Sequence, residues 1–333
     1  MFQDAYYQIG NAILAGQKIN AVDVGGAGGL LAHWTKFQGN TKFHMYEPRE
    51  SACEQLRQMY STSPFASDFN LINTALSGTG GFRTLYITES QSSSSLLRPY
   101  INDERHKNYY GFTSYKEKLI RTKTLAESLS EEGVDTIEAI KLDTQGAELE
   151  ILNGLDETRR DSLIVVETEV GLIDYYQGAP KLGDMLQFAE NSGLDLFDMR
   201  TQRTPCTLSH TNETYNTKVF GVTDNDPSIA SRLYEVDAIF FKKSSLALRG
   251  GPSQVRKLIF CLCVYNFFGE AINLALDAEN QSVMTAQDSS QLVELVRMWH
   301  GVNRQVIAGY NQVLAATDNH IWGQYTWIPY PNM

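Results

Sequence analysis

The sequence predicts an α/β fold: a mostly parallel, seven-stranded sheet with helices on both faces, followed by a C-terminal helical appendage. Three observations carry this. Short apolar runs ended by glycine or proline alternate with amphipathic stretches, the pace of strand–helix–strand units. The stretch "AVDVGGAGGLLAHW" (21–34) places four glycines in the five positions behind an Asp-Val pair. From about residue 245 the texture changes to long helical spacing without a glycine-rich turn.

In chain order, residues 1–18 have the apolar spacing of a leading helix, and "INAVDVG" (19–25) reads as a buried strand closed by glycine. Residues 29–37 are expected to be helical, with Leu30, Leu31, Trp34 and Phe37 on one side. "TKFHMYEP" (41–48) is a second strand. The helix 49–60 turns Cys53, Leu56 and Met59 or Tyr60 inward, and 68–77 is a third strand. Regularity breaks over 78–118, which reads as an insertion with one strand ("FRTLYITES") and a long loop over the sheet edge. It includes the serine run 92–95, read as a loop or an acceptor-facing lid. A helix over 122–133 has Thr124 as N-cap with Glu127 three residues on. A fourth strand (136–146), a short helix, a fifth strand (162–170) and a helix ended by Gly193 follow, then strands at 194–200 and 234–243.

The net charge is −11 and the isoelectric point about 5.1, which argues against a nucleic-acid or anionic-membrane partner. Cys53, Cys206, Cys261 and Cys263 have no CxxC spacing and read as buried thiols. The first residues lack a signal-peptide pattern, and the apolar run 258–268 is about half of a membrane span. A reduced, cytoplasmic, soluble protein is expected.

The glycine turn bears on function. Glycines tolerate positive φ and let a ligand lie against the backbone, and N–H groups opening a helix suit a carboxylate. Dinucleotide folds use G-x-G-x-x-G, and here the third position after Gly26 and Gly28 is Leu31. Asp23, two residues before the first glycine, fits an S-adenosylmethionine turn better. Glu47 closes the second strand, where a carboxylate can accept hydrogen bonds from both hydroxyls of a ribose. The alternative for both acids is a solvated strand end.

At the fourth strand, "IEAIKLDTQGAELEILNGL" (137–155) resembles the hallmark segment of the FkbM family of S-adenosylmethionine-dependent methyltransferases. "VDVGGAGG", "FHMYEPRESACEQL", "NTALSG", "SSSSLL", "TKTLAESL" and "EVDAIFF" fall in the same order, over roughly residues 20–243. The resemblance implies a class I methyltransferase (Rossmann-like) domain over 19–243, between the N-terminal helix and a helical C-terminal extension (244–333). It further implies methyl transfer, usually to a hydroxyl oxygen of a sugar or natural product. By motif, Asp23, Gly25 and Gly29 would line the methionine end of the cofactor, Glu47 its ribose, and Ala75 and Leu76 its adenine. The chain departs from the family pattern at Ala27, where asparagine is usual.

A hydroxyl acceptor must lose a proton as the new bond forms. Asp143, at the end of the fourth strand, is the first candidate for that role. Glu169 and Glu167 follow, sharing one face of the fifth strand by alternation. Glu148 reads as either a site acid or a helix cap. Three acids on one rim could instead hold a divalent cation, but no metal-spacing motif is present, so no metal ligand is assigned. The expected partner is a small-molecule or glycan acceptor. The C-terminal helices pack as core, form a homodimer contact or cover the substrate. Two other functions stay open: a catalytically silent methyltransferase-like binding module, and an NAD-linked oxidoreductase.

Overall fold

The computed structural model describes residues 2–101, 114–204, 216–222, 228, 230 and 232–317. Cys206 and the inner part of the 78–118 insertion (102–113) lie outside the described residues. The strands are β1 (Ile19–Val24), β2 (Thr41–Tyr46), β3 (Phe69–Ile72), β4 (Ala75–Leu76), β5 (Gly81–Thr88), β6 (Tyr115–Lys123), β7 (Ala139–Leu142), β8 (Val165–Gly171), β9 (Leu194–Thr204) and β10 (Arg232–Lys242). The helices are α1 (Phe2–Ile13), α2 (Glu50–Ser61), α3 (Leu125–Glu131), α4 (Glu148–Asn153), α5 (Glu157–Ser162), α6 (Leu182–Asn191), α7 (Ser244–Arg249), α8 (Pro252–Val264), α9 (Phe268–Asn280) and α10 (Ala286–Thr317).

Seven strands form one sheet in the order β3-β2-β1-β7-β8-β10-β9. The first five run parallel, and β10 is antiparallel to both of its neighbours. Alternation along the strands gives the sheet two apolar faces. Val22, Ile140, Leu142, Val166 and Phe240 pack beneath α3, α4 and α6. Ala21, Ala139, Val165, Ile239 and Phe241 pack on the other side with residues of α1, α8, α9 and α10. The predicted capping box is present: Thr124 Oγ1 accepts from Glu127 N at 3.1 Å, and Glu127 Oε2 accepts from Thr124 N at 2.9 Å.

Three elements depart from the sequence reading. The helix expected over 29–37 is absent, and only a 3-10 turn (Trp34–Phe37) forms. The apolar spacing there marks inward side chains of a connector, since α1 and α8 already flank that turn. The third strand ends at Ile72, and Ala75–Leu76 leave it to join a second sheet of order β4-β6-β5. β6 has no counterpart among the expected strands, because its sequence "YKEKLIRTK" exposes most of its side chains and lacks a buried-strand pattern.

The C-terminal helices follow the sheet as expected and contribute to its core. Every residue from Leu258 to Val264 is buried, and Phe260 stacks edge-on against Phe37 and Trp299. Leu258, Leu262, Leu292, Val296 and Trp299 share one continuous core with the sheet. None of the described helices is long and apolar enough to cross a membrane.

Candidate active site

The site lies at the carboxyl ends of β1, β2, β7 and β8, where open α/β sheets bind ligands. Gly25, directly after β1, has φ +84°, and a Cβ there would sit 2.0 Å from the Asp143 carbonyl oxygen. Only glycine lets the turn pass so close to the end of β7. Gly29 (φ +82°) is pressed against Tyr60, whose hydroxyl accepts from Leu30 N at 2.7 Å.

Beside this turn a cleft holds about 1130 Å³ of empty space. Gly25, Ala27, Glu47, Ala75 and Leu76 all line it, together with Asp143, Gln145, Ser92 and Ser94. Five of the predicted cofactor residues therefore share one wall. Glu47 is buried, and its Oε1 accepts from Arg49 N at 2.9 Å and Arg49 Nε at 3.0 Å. Gly29 lines a second cavity that shares Gly25, Gly28, Ser92 and Asp143 with the first. Asp23 lines neither cavity. It is buried behind the turn, 2.6 Å from where a Gly26 Cβ would lie and 3.6 Å from Lys141 Nζ. Burial pushes its carboxyl up to about 6, against the pull of Lys141.

The second cavity is edged by Lys141, Asp143, Glu167, Glu169 and Asp237. Sheet register explains the grouping: Lys141 lies between Asp23 and Glu167, while Glu169 is opposite Asp237, itself opposite Arg200. Lys141 Nζ stands 3.4 Å from Asp143 Oδ2. Burial opposes the Lys141 charge, but Asp23, Asp143 and Glu167 outweigh it and hold its ammonium above the ordinary value.

Gln145 connects the acids. It sits in the left-handed region (φ +59°) on the turn after β7. Its Nε2 donates to Glu169 Oε1 at 2.7 Å and Asp143 Oδ1 at 3.1 Å. The two carboxylate acceptors fix the amide with its nitrogen towards them, and the Tyr176 hydroxyl lies 2.9 Å from Gln145 Oε1 and 2.7 Å from the Ser93 carbonyl, its single proton shared between the two. Burial pushes Glu169 well above the usual carboxylate range, and Asp143 and Glu235 add to it. Burial likewise lifts Asp237 to about 6, with Glu167 contributing, and Glu235 to about 7, with Asp237 contributing.

Glu167 and Glu148 serve the scaffold. Glu167 Oε2 takes hydrogen bonds from Trp34 Nε1 (2.8 Å) and the Tyr265 hydroxyl (2.7 Å) and pairs with His33 Nε2 (2.9 Å); Arg200 lies 3.2 Å from Oε1. Burial opposes its ionisation, yet His33, Arg200 and Tyr265 bring it down to about 2. Both carboxylate oxygens of Glu167 are thus engaged by scaffold groups, whereas Glu169 faces Gln145. Glu148 Oε1 accepts from Thr144 N, Thr144 Oγ1 and Gly146 N, so it caps the turn after β7. Sequence reasoning missed Lys141, Asp237, His33 and Arg200. The only signal available was alternation, which places Lys141 on the same side of its strand as Asp143.

The strand order, the glycine turn after β1 and the carboxylate closing β2 define a class I methyltransferase fold of the S-adenosylmethionine-dependent kind. The profile of the methyltransferase FkbM domain matches residues 23–195, just over half of the chain, and the chain belongs to that family. Among solved structures, the precorrin-6y C5,15-methyltransferase from Geobacter metallireducens GS-15 is similar at 11% identity and TM-score 0.32, over 71% of this chain and 86% of that one. The M1A22 tRNA methyltransferase TrmK of B. subtilis is similar at 9% identity and TM-score 0.30, over 89% and 96%. Likeness at that level adds nothing to the strand order. A search of curated proteins finds no match.

The cleft suits the family's cofactor on its own terms. Gly28 faces open space, and the buried Ser94 hydroxyl in the wall has no partner among the described residues.

Proposed function

We propose that this protein transfers the methyl group of S-adenosylmethionine to a hydroxyl oxygen of a sugar, glycan or natural product. The observation that carries this reading is the Gln145 clamp on Asp143 and Glu169, beside a wall shared by two cavities. A sulfonium methyl is already activated, so the protein has to align the acceptor and take its proton. Asp143 lines both cavities and orients the acceptor hydroxyl. Glu169, joined to Asp143 through Gln145 and lining the second cavity, is the candidate to receive that proton in its ionised form. Glu47 has both Arg49 bonds on Oε1, so Oε2 is the oxygen that would meet the ribose diol. Gly25, Ala27, Ala75 and Leu76 form the surrounding cleft wall, and Gly29 shapes the second cavity.

The test is incubation of cell extracts with a methyl-labelled donor, followed by mass spectrometry of the products. Label on oxygen supports the reading, and label on nitrogen or carbon overturns it. Asp143→Ala is expected to abolish transfer while keeping S-adenosylhomocysteine affinity within a few-fold. Glu47→Ala is expected to weaken that affinity about tenfold or more, since charge-assisted bonds contribute roughly 1.5–3 kcal/mol each. Isothermal titration calorimetry reads both.

A further inference from the structure

The turn after β7 carries two successive residues of positive φ, Gln145 at +59° and Gly146 at +107°. Glycine adopts that conformation freely, but for glutamine it is unfavourable, and a residue held there depends on the contacts around it. Part of the support is internal: Glu148 Oε1 accepts from Thr144 N, Thr144 Oγ1 and Gly146 N. The rest comes from the serine run of the insertion. Ser95 Oγ donates to the Gln145 carbonyl at 2.7 Å, across 50 positions of chain.

Ser95 can hold that carbonyl because it is itself fixed. It is buried, its Oγ accepts from Leu97 N at 2.9 Å, and its backbone pairs in both directions with Tyr86 of β5. Leu97 rests on the same turn, its Cδ1 2.9 Å from where a Gly146 Cβ would stand. The Tyr176 hydroxyl lies 2.7 Å from the Ser93 carbonyl and 2.9 Å from Gln145 Oε1. Residues 93–97 therefore meet Gln145 and Gly146 at the backbone and reach the amide through Tyr176.

We infer that Ser95 is a positioning residue for the Asp143–Glu169 pair: by holding the Gln145 carbonyl it keeps the left-handed turn that aims the amide at both carboxyl groups. This rests on the role given to that pair above. Within the serine run, Ser95 is the strut of the turn, while Ser92 faces the two cavities.

Carbon-13 NMR of the Glu169 carboxyl in the full-length chain reads the effect without an acceptor. Ser95→Ala should move the Glu169 titration upward by about 0.5 in pH, because a misaimed amide bonds the charged form less well. Ser95→Ala on the Gln145→Leu background should move it no further, since the path runs through the amide. Asp143, Glu235, Glu148 and Asp237 also act on Glu169, and among the described residues none of them hydrogen-bonds to Ser95. Ser95→Cys, close in size but a weaker donor, serves in the same comparison should the alanine variant be too unstable to titrate. An unmoved Glu169 titration overturns the inference, and so does an equal shift in the two backgrounds. Transfer of labelled methyl to extract acceptors should fall about three- to tenfold in Ser95→Ala, the scale of one hydrogen bond, with S-adenosylhomocysteine affinity kept within a few-fold. Transfer at the wild-type rate overturns the inference as well. A wild type that transfers no methyl overturns the proposed function, while the NMR comparison still decides the tie between Ser95 and Glu169.

Discussion

Gln145 Nε2 lies 2.7 Å from Glu169 Oε1, although the two residues sit on different strand ends and are 24 positions apart. That amide also reaches Asp143, so one side chain bridges the two carboxyl groups. Lys141, Glu148, Glu235 and Asp237 face the pair from β7, α4 and β10, and Glu167 with its partner Arg200 lies next to Asp237 on β8 and β9.

Replacing Gln145 with leucine removes a donor that favours the charged form of Glu169, so the Glu169 titration should move upward. Carbon-13 NMR of labelled carboxylates is the measurement. The Glu169 signal should titrate at higher pH in Gln145→Leu than in the wild type. Tyr176→Phe, which leaves the amide oxygen without its hydroxyl partner, should move it the same way by less. A Glu169 titration identical in all three proteins contradicts the clamp.

Stability should peak at mildly acidic pH. Glu235 and Asp237 have folded values raised to about 7 and about 6, so the folded chain takes up their protons before the unfolded one does. Stability therefore rises as pH falls from about 8 to about 5. Glu167 has the opposite sign: its folded value, about 2, lies below the ordinary 4.5. Its contribution is present above the unfolded value and is lost as pH falls from about 4.5 towards 2. Melting temperatures across pH should trace this dome, and Asp237→Asn with Glu235→Gln should flatten its alkaline side.

Phe260 is fully buried between Phe37 and Trp299, with ring centroids 5.6 and 5.8 Å away. Phe260→Ala should cost roughly 3–5 kcal/mol, the range for truncating a core aromatic. It should leave S-adenosylhomocysteine affinity unchanged, because Phe260 lines neither cavity. Urea unfolding beside calorimetry would separate the two effects. A small stability loss would mean that α8 is an accessory to the sheet and not part of its core.

What the sequence by itself determined is local. Apolar runs set the main strands, the glycines set a turn that only they can make, and "YEP" places Glu47 at the end of β2. Thr124 and Glu127 announce their own helix start. Tertiary structure decided what covers each face and which polar groups meet. The Glu167 cluster joins residues 133, 134 and 98 positions away, and no local period encodes such a meeting. The missing helix after the glycine turn has the same origin. Its apolar spacing says that Trp34 and Phe37 turn inward, while the helix that occupies that face arrives more than 200 residues later as α8. Periodicity records that a side chain is buried, and only the closed fold determines against what.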